Sequence, residues 1–210
     1  MPGLDASEVR VAGSGGVFVA PEGTTLPTDV ATDLPAAWIN LGYISEDGAT
    51  VTLSRDQEEV NAWQASDPVR VLVTNEPKTV TFELLQFEPV TIQLAFRGGE
   101  VTSAGTGEWK FTPPDAGATD IRAMVVEGID GSITTRYVFA RVQLQGDVET
   151  ALVRSDAQRL PMEFGVQAAE PIWGYILSND PEWEVLAPVT MSANGSSTRK
   201  SSSSSSSSSS

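Results

Sequence analysis

Along most of the chain apolar and polar residues alternate with a period of two, the mark of strands with one face buried. Residues 133–144 carry the longest run: Val138, Ala140, Val142 and Leu144 alternate with Tyr137, Phe139, Arg141 and Gln143. Over residues 137–140 both sets are apolar, which predicts burial on both sides there. In residues 78–84, Val80, Phe82 and Leu84 share one face and Thr79, Thr81 and Glu83 the other. In residues 160–168, Met162, Phe164, Val166 and Ala168 face inward while Glu163 and Gln167 face outward. Shorter strands are predicted at residues 50–54, 69–74, 100–103, 107–112, 121–128 and 151–153. A terminal strand or hook is predicted in the Trp- and Tyr-containing stretch 172–186.

One helix interrupts this pattern. Glu88 and Pro89 open it, Pro being tolerated where its missing N–H has no partner anyway. Val90, Leu94 and Phe96 form an apolar stripe, Gly98 and Gly99 stop it, and the Glu88 carboxylate suits the positive end of the helix dipole. The opening, residues 1–33, is rich in Gly, Pro, Thr and Ala and reads as an extended arm with one or two short strands, at residues 9–12 and 17–20. Between them Gly13-Ser14-Gly15-Gly16 reads as a flexible turn, since it lacks the Lys-Ser/Thr and the helix of a phosphate loop. Residues 34–44 read as an extended segment packed through Trp38, Leu41 and Tyr43. A turn at Ser45-Glu46-Asp47-Gly48 follows, its Gly supplying positive φ. Residues 55–64, polar and acidic with Val60 and Trp63 as isolated apolar positions, read as a long, partly mobile loop. The expected organisation is an arm (1–33), a β domain (34–190) and a Ser-rich tail (191–210) that buries nothing. About ten strands and a single helix predict a mainly β fold, a β-sandwich or barrel with one flanking helix.

Composition narrows the chemistry. The 210 residues include no His and no Cys, so thiol nucleophiles, zinc–thiolate sites, disulfides and Ser–His–Asp triads are excluded. Thirteen basic residues against 28 acidic ones give a net charge of −15. The basic residues are scattered, and the adjacent pair Arg199 and Lys200 borders the serine run, so nothing suits phosphate neutralisation. Such a surface repels DNA and anionic membrane. No apolar run approaches the ~20 residues of a membrane-spanning helix. The start, Met1-Pro2-Gly3-Leu4-Asp5, lacks a basic, apolar leader, which predicts synthesis and folding in the cytoplasm. Asp180, Glu182 and Glu184 around Trp183 are the one candidate carboxylate cluster for acid–base work, although surface acids near a tail are the simpler reading. Glu46-Asp47-Gly48 and Asp130-Gly131 lack calcium-loop spacing. The sequon at Asn194-Gly195-Ser196 means little without a secretory signal. No cofactor or metal is expected, and the chain is not expected to be an enzyme.

The order of features resembles a known family. A Gly-rich arm leads to Trp38-Ile39-Asn40-Leu41-Gly42-Tyr43-Ile44-Ser45-Glu46-Asp47-Gly48, and a long acidic loop precedes a strand at residues 69–74. Then come Lys78-Thr79-Val80-Thr81-Phe82-Glu83-Leu84-Leu85-Gln86, a helix ending at Gly98, and Leu160-Pro161-Met162-Glu163-Phe164-Gly165-Val166. Over residues 9–170 this is similar to the major tail proteins, or tail tube proteins, of long non-contractile-tailed (siphovirus-type) phages, particularly those of actinobacterial hosts. The resemblance implies a β-sandwich or barrel with a flanking helix, assembled as hexameric rings stacked into a tube through which the genome passes. It implies a virion location, assembly in the host cytoplasm, and contacts with tape measure, tail terminator and baseplate proteins. Arm and long loop would meet neighbouring rings, which selects Val17, Phe18, Val19, Glu46, Asp47, Arg55, Asp56, Glu58, Glu59 and Trp63. Polar strand positions Glu83, Gln143, Glu163 and Gln167 would line the channel, where DNA slides past an acidic wall without specific binding. Trp173, Trp183 and the serine run have no counterpart in the family pattern.

Two competitors remain at this point. A monomeric β-sandwich binding or decoration module would keep residues 45–67 ordered by itself. An acid hydrolase would line a cleft with Asp180, Glu182 or Glu184.

Overall fold

The computed structural model describes residues 8–155, 157–170 and 172–183. The serine run and Glu184 lie outside the described residues. The fold is mainly antiparallel β with one α-helix, as the alternation predicts. The main sheet takes the order β2 (Ile39–Asn40), β1 (Ser14–Pro21), β9 (Ile121–Asp130), β10 (Ile133–Leu144), β11 (Leu160–Val166), β6 (Lys78–Leu84), β3 (Ile44–Leu53). β12 (Gly174–Ser178) joins β10 along residues 135–139, beyond the stretch of β10 that holds β11. Two small sheets stand apart: a ribbon of β4 (Asp56–Val60) with β5 (Arg70–Asn75), and a hairpin of β7 (Glu100–Gly105) with β8 (Glu108–Thr112).

The concave side of the main sheet holds the core. Val17 and Val19 of β1, Val80, Phe82 and Leu84 of β6, Met124 of β9, Val142 and Leu144 of β10, and Met162 and Phe164 of β11 are all buried in it. Phe82 and Phe164 stack across β6 and β11, their centroids 5.8 Å apart. α1 (Pro89–Ala95) closes one end through Leu94 and Ala95, and Trp173, stacked on Phe139 with the Lys78 ammonium 4.9 Å over its ring, packs at the other. The helix begins and stops where its sequence says, but Phe96, expected on the apolar stripe, is its C-cap and is exposed. The Glu88 N–H donates to Thr91 Oγ1, and the chain leaves through Arg97, Gly98 and Gly99, all at positive φ.

The same sheet has a second apolar cluster on its other face, made by Ala20, Trp38, Ala123, Val125 and Val138. In β10, Val138 faces this cluster and Phe139 the first, which is the two-sided burial read from residues 137–140. Residues 22–38 lie over the second cluster as a strap. Arg136 Nη1 donates to the carbonyls of Asp29 and Thr32, Tyr175 Oη donates to the carbonyl of Pro27, and Trp38 Nε1 donates to that of Thr25. Arg136 is itself paired with Glu127 across β9 and β10, and both side chains are buried. Burying a pair of charges costs desolvation, which the two strap carbonyls held by Arg136 Nη1 help to offset.

Several expectations are corrected. Residues 14–21, expected inside an extended arm, form a strand between β2 and β9. Their glycines serve close approach rather than a turn: a Cβ on Gly15 would run into the Glu127 carbonyl of the neighbouring strand. Residues 9–12 form no strand, and neither do residues 151–153. Tyr43 is exposed, unlike Trp38 and Leu41. Ala168 is also exposed, past the end of β11. The Gly48 turn has its positive φ, but it sits within β3. Residues 45–48 bulge out between Ile44, opposite Leu84, and Ala49, opposite Phe82. Residues 56–60, read as loop, are strand, because a ribbon wet on both faces needs no apolar alternation.

Candidate assembly surfaces and channel face

Where the second face is not covered by the strap, it is polar. Register places Glu163 opposite Thr81, Pro161 opposite Glu83, Thr81 opposite Thr50 and Gln143 opposite Gly165. Opposed residues in a sheet point the same way. Glu83, Gln143, Glu163 and Gln167 therefore share one face, opposite Phe82, Phe164 and Val142. Gln167 Nε2 donates to Gln143 Oε1, and Arg159 Nη1 lies 3.1 Å from Glu83 Oε2. A shallow cleft of about 330 Å³ runs across this face, lined by Asp47, Glu83, Asp147 and Glu163 among others. At the border with the strap, Arg141 pairs with Glu22 at 2.9 Å. The face is thus acidic, with its two arginines already engaged by carboxylates.

The borders of the sheet are unequal. β3 is paired with β6 on one side, while its other edge has no strand partner among the described residues. β1 comes near β3 without bonding to it, and its start is uncovered because β2 pairs only with Phe18 and Val19. Between them opens a cleft of about 640 Å³, lined by Gly13, Gly15 and Gly16 on one side and Ala49, Val51 and Leu53 on the other. An unpaired edge of this length is a template for another strand.

The residues expected at joints between copies fall into three groups. Val17 and Val19 have no exposed surface, so their side chains have nothing to offer a neighbouring copy. They belong to a strand held between β2 and β9, not to a free arm. Phe18 points the other way and packs, half-buried, on the strap-side cluster. Glu46 and Asp47 are exposed on the bulge of β3, beside its free edge. Asp56, Glu58 and Glu59 line the β4 strand of the ribbon, fully exposed, with Trp63 in its connecting loop at 98% exposure. Arg55 is tied to Glu76 at 2.7 Å at the ribbon's base.

The carboxylate cluster is not a dyad. Asp180 accepts from Arg10 Nε at 2.6 Å and Nη2 at 2.7 Å, and from the Glu182 N–H at 3.0 Å. The arginine's two bonds, above all, hold the Asp180 carboxyl below its ordinary range. Bound this way it is a clip between the two ends of the described chain. Glu182 is exposed, and neither it nor Asp180 lines the clefts described above. Burial pushes the Tyr175 hydroxyl up, consistent with its role as a donor to the strap.

Sequence reasoning missed an apolar surface on the β7–β8 hairpin. Trp109 and Phe111 are two apart in a strand, hence on one face, and Phe111 lies 5.0 Å from Phe96 at the end of α1. Trp109 is 74% exposed and Phe96 54%. That spacing, inside an otherwise charged strand, was the available signal.

Comparison with known proteins gives three findings. A family model described as "Phage tail tube protein" matches residues 2–186. Among solved structures, the chain is similar to one in the cryo-EM structure of the anti-feeding prophage (AFP) baseplate, 6-fold symmetrised. The identity is 13%, over 81% of this chain and 97% of that one, with a TM-score of 0.45. No curated protein matches.

Proposed function

The chain belongs to the phage tail tube protein family, structural and non-enzymatic components of the virion tail, and from that premise we propose that it is the major tube subunit of a long non-contractile tail. Copies join side by side into rings, six to a ring, and the rings stack into the channel for the genome. Assembly takes place in the host cytoplasm, with tape measure, terminator and baseplate proteins as further partners.

One observation carries this reading: among the described residues, the main sheet has an acidic, strap-free face flanked by a strand edge with no partner. A bare edge suits ring closure, since each subunit must offer a surface its neighbour completes. A polar face suits water and a passing duplex. Glu83, Gln143, Glu163 and Gln167 line the bore on this proposal, and like charge keeps phosphates from binding. At physiological salt that repulsion reaches about 8 Å, so it acts on DNA near the wall. Glu46, Asp47, Arg55, Asp56, Glu58, Glu59 and Trp63 reach toward the adjacent ring on this proposal.

Negative-stain microscopy and sedimentation of the purified chain test the reading. Rings or tubes are expected. A protein that stays monomeric at every concentration and salt overturns it and favours a decoration module. Hydrogen exchange adds the location, since protection gained on assembly is expected along residues 44–53 and 56–73.

A further inference from the structure

The two small sheets leave apolar rows uncovered at opposite ends of the body. β6 starts at Lys78, directly after the β4–β5 ribbon, and ends at Leu84, directly before α1 and the β7–β8 hairpin. Its seven residues, at about 3.3 Å each, hold the two projections roughly 20 Å apart at their roots. On the ribbon, Val71 opposes Glu59 and Val73 opposes Gln57, so Val69, Val71 and Val73 form one row, each half-exposed or more. On the hairpin, Trp109 and Phe111 share a face that Phe96 extends onto α1.

We infer that the valine row of one copy's ribbon seats on the Phe96, Phe111 and Trp109 surface of the next copy along the tube. This rests on the stacked-tube reading and names the surface that receives the ribbon. The placement excludes the contact within one molecule, because the two rows sit at opposite ends of the same strand. Both rows belong to one chain, so a second copy satisfies both at once, whereas a foreign partner for either leaves the other bare. Two different patches at opposite ends form a head-to-tail contact, which propagates instead of closing on a pair. A flat ribbon face against an aromatic platform also has the composition of an interface centre, where large rings supply most of the buried area. Ribbon and hairpin each carry more acid than base. Apolar burial therefore drives the contact against mild repulsion, and stacking strengthens as salt rises.

The experiment uses the full chain with Val71→Asp on the ribbon, Trp109→Asp on the platform and Trp109→Phe as the conservative variant. All three positions are exposed, and circular dichroism with thermal melting verifies the fold. Val73→Asp replaces Val71→Asp if the ribbon is disturbed. Wild-type protein is expected to form tubes, more readily on raising salt above about 0.1 M. Each Asp variant alone is expected to stop at single rings, or to need at least about tenfold more protein for tubes. An equimolar mixture of the two is expected to give two-ring stacks, because one intact ribbon meets one intact platform. Trp109→Phe is expected to restore tubes. Tubes from Trp109→Asp at the wild-type concentration overturn the inference alone, as does a mixture that behaves like its separate components. Wild-type protein that never assembles overturns the tube reading itself, and this inference with it.

Discussion

The outer face of the main sheet is finished in two ways. Over β1, β9 and the first part of β10 it is apolar and covered by residues 22–38, with Trp38 buried against Val125 and Val138. Over β11, β6, β3 and the end of β10 it is mostly Thr, Glu and Gln, and among the described residues no strap crosses it. The contrast teaches what each half is for. A half that carries its own lid is complete as a monomer. A half whose outward positions are polar loses nothing by facing water.

The largest test strikes what the halves share. Phe164→Ala removes a ring stacked on Phe82 and is expected to cost about 3–5 kcal/mol by urea denaturation. Both halves should unfold together in that experiment; separate transitions would show them to be independent units. Arg136→Met should cost nearly as much, about 3–5 kcal/mol, since it strands the buried Glu127 carboxylate and two strap carbonyls. Its signature is local: hydrogen exchange should quicken over residues 24–38 and stay slow in β6 and β11. Uniform loss of protection would mean the strap is not a separable lid.

A smaller effect comes from the Arg10–Asp180 clip. The folded Asp180 carboxyl is shifted down, so its contribution is whole above the unfolded carboxylate value of about 3.9. It is lost as pH falls through the lowered folded value. Exchange at residues 8–13 should therefore accelerate in acid, and Asp180→Asn should abolish that step while leaving the strap protected. Least of all, Glu163→Lys on the bare half should change stability by under about 0.5 kcal/mol. Assembled Glu163→Lys protein should nonetheless retain double-stranded DNA that the native protein releases, measured by co-sedimentation at low salt. Stability loss of several kcal/mol would mean this face is packed against something.

Legibility in the sequence followed burial. β10 and β6 are found at the bounds the alternation predicts, because each buries a row of apolar side chains that a single slip would expose. Glu83, Gln143, Glu163 and Gln167, found on one polar face, were grouped by that same period of two. β4 was invisible because both its faces are wet, leaving no periodicity to read. β1 was misread because Gly13 to Gly16 carry the composition of a turn, whereas Gly15 is needed for contact with β9. Which carboxylate meets which arginine, as with Asp180 and Arg10, joins positions 170 residues apart and has no local trace.

The strap is gripped by its main chain: Arg136, Tyr175 and Trp38 all donate to carbonyl oxygens. Every residue has such an oxygen, whatever its side chain. Substitutions between positions 24 and 33, other than at Leu26, which packs on the cluster, should thus leave docking intact so long as the backbone path survives. Replacing Arg136 or Tyr175, the donors on the sheet, cannot be compensated from the strap, to which Trp38 itself belongs. Tolerance to change is distributed unevenly across a single contact, permissive on the strap and strict on the sheet beneath it.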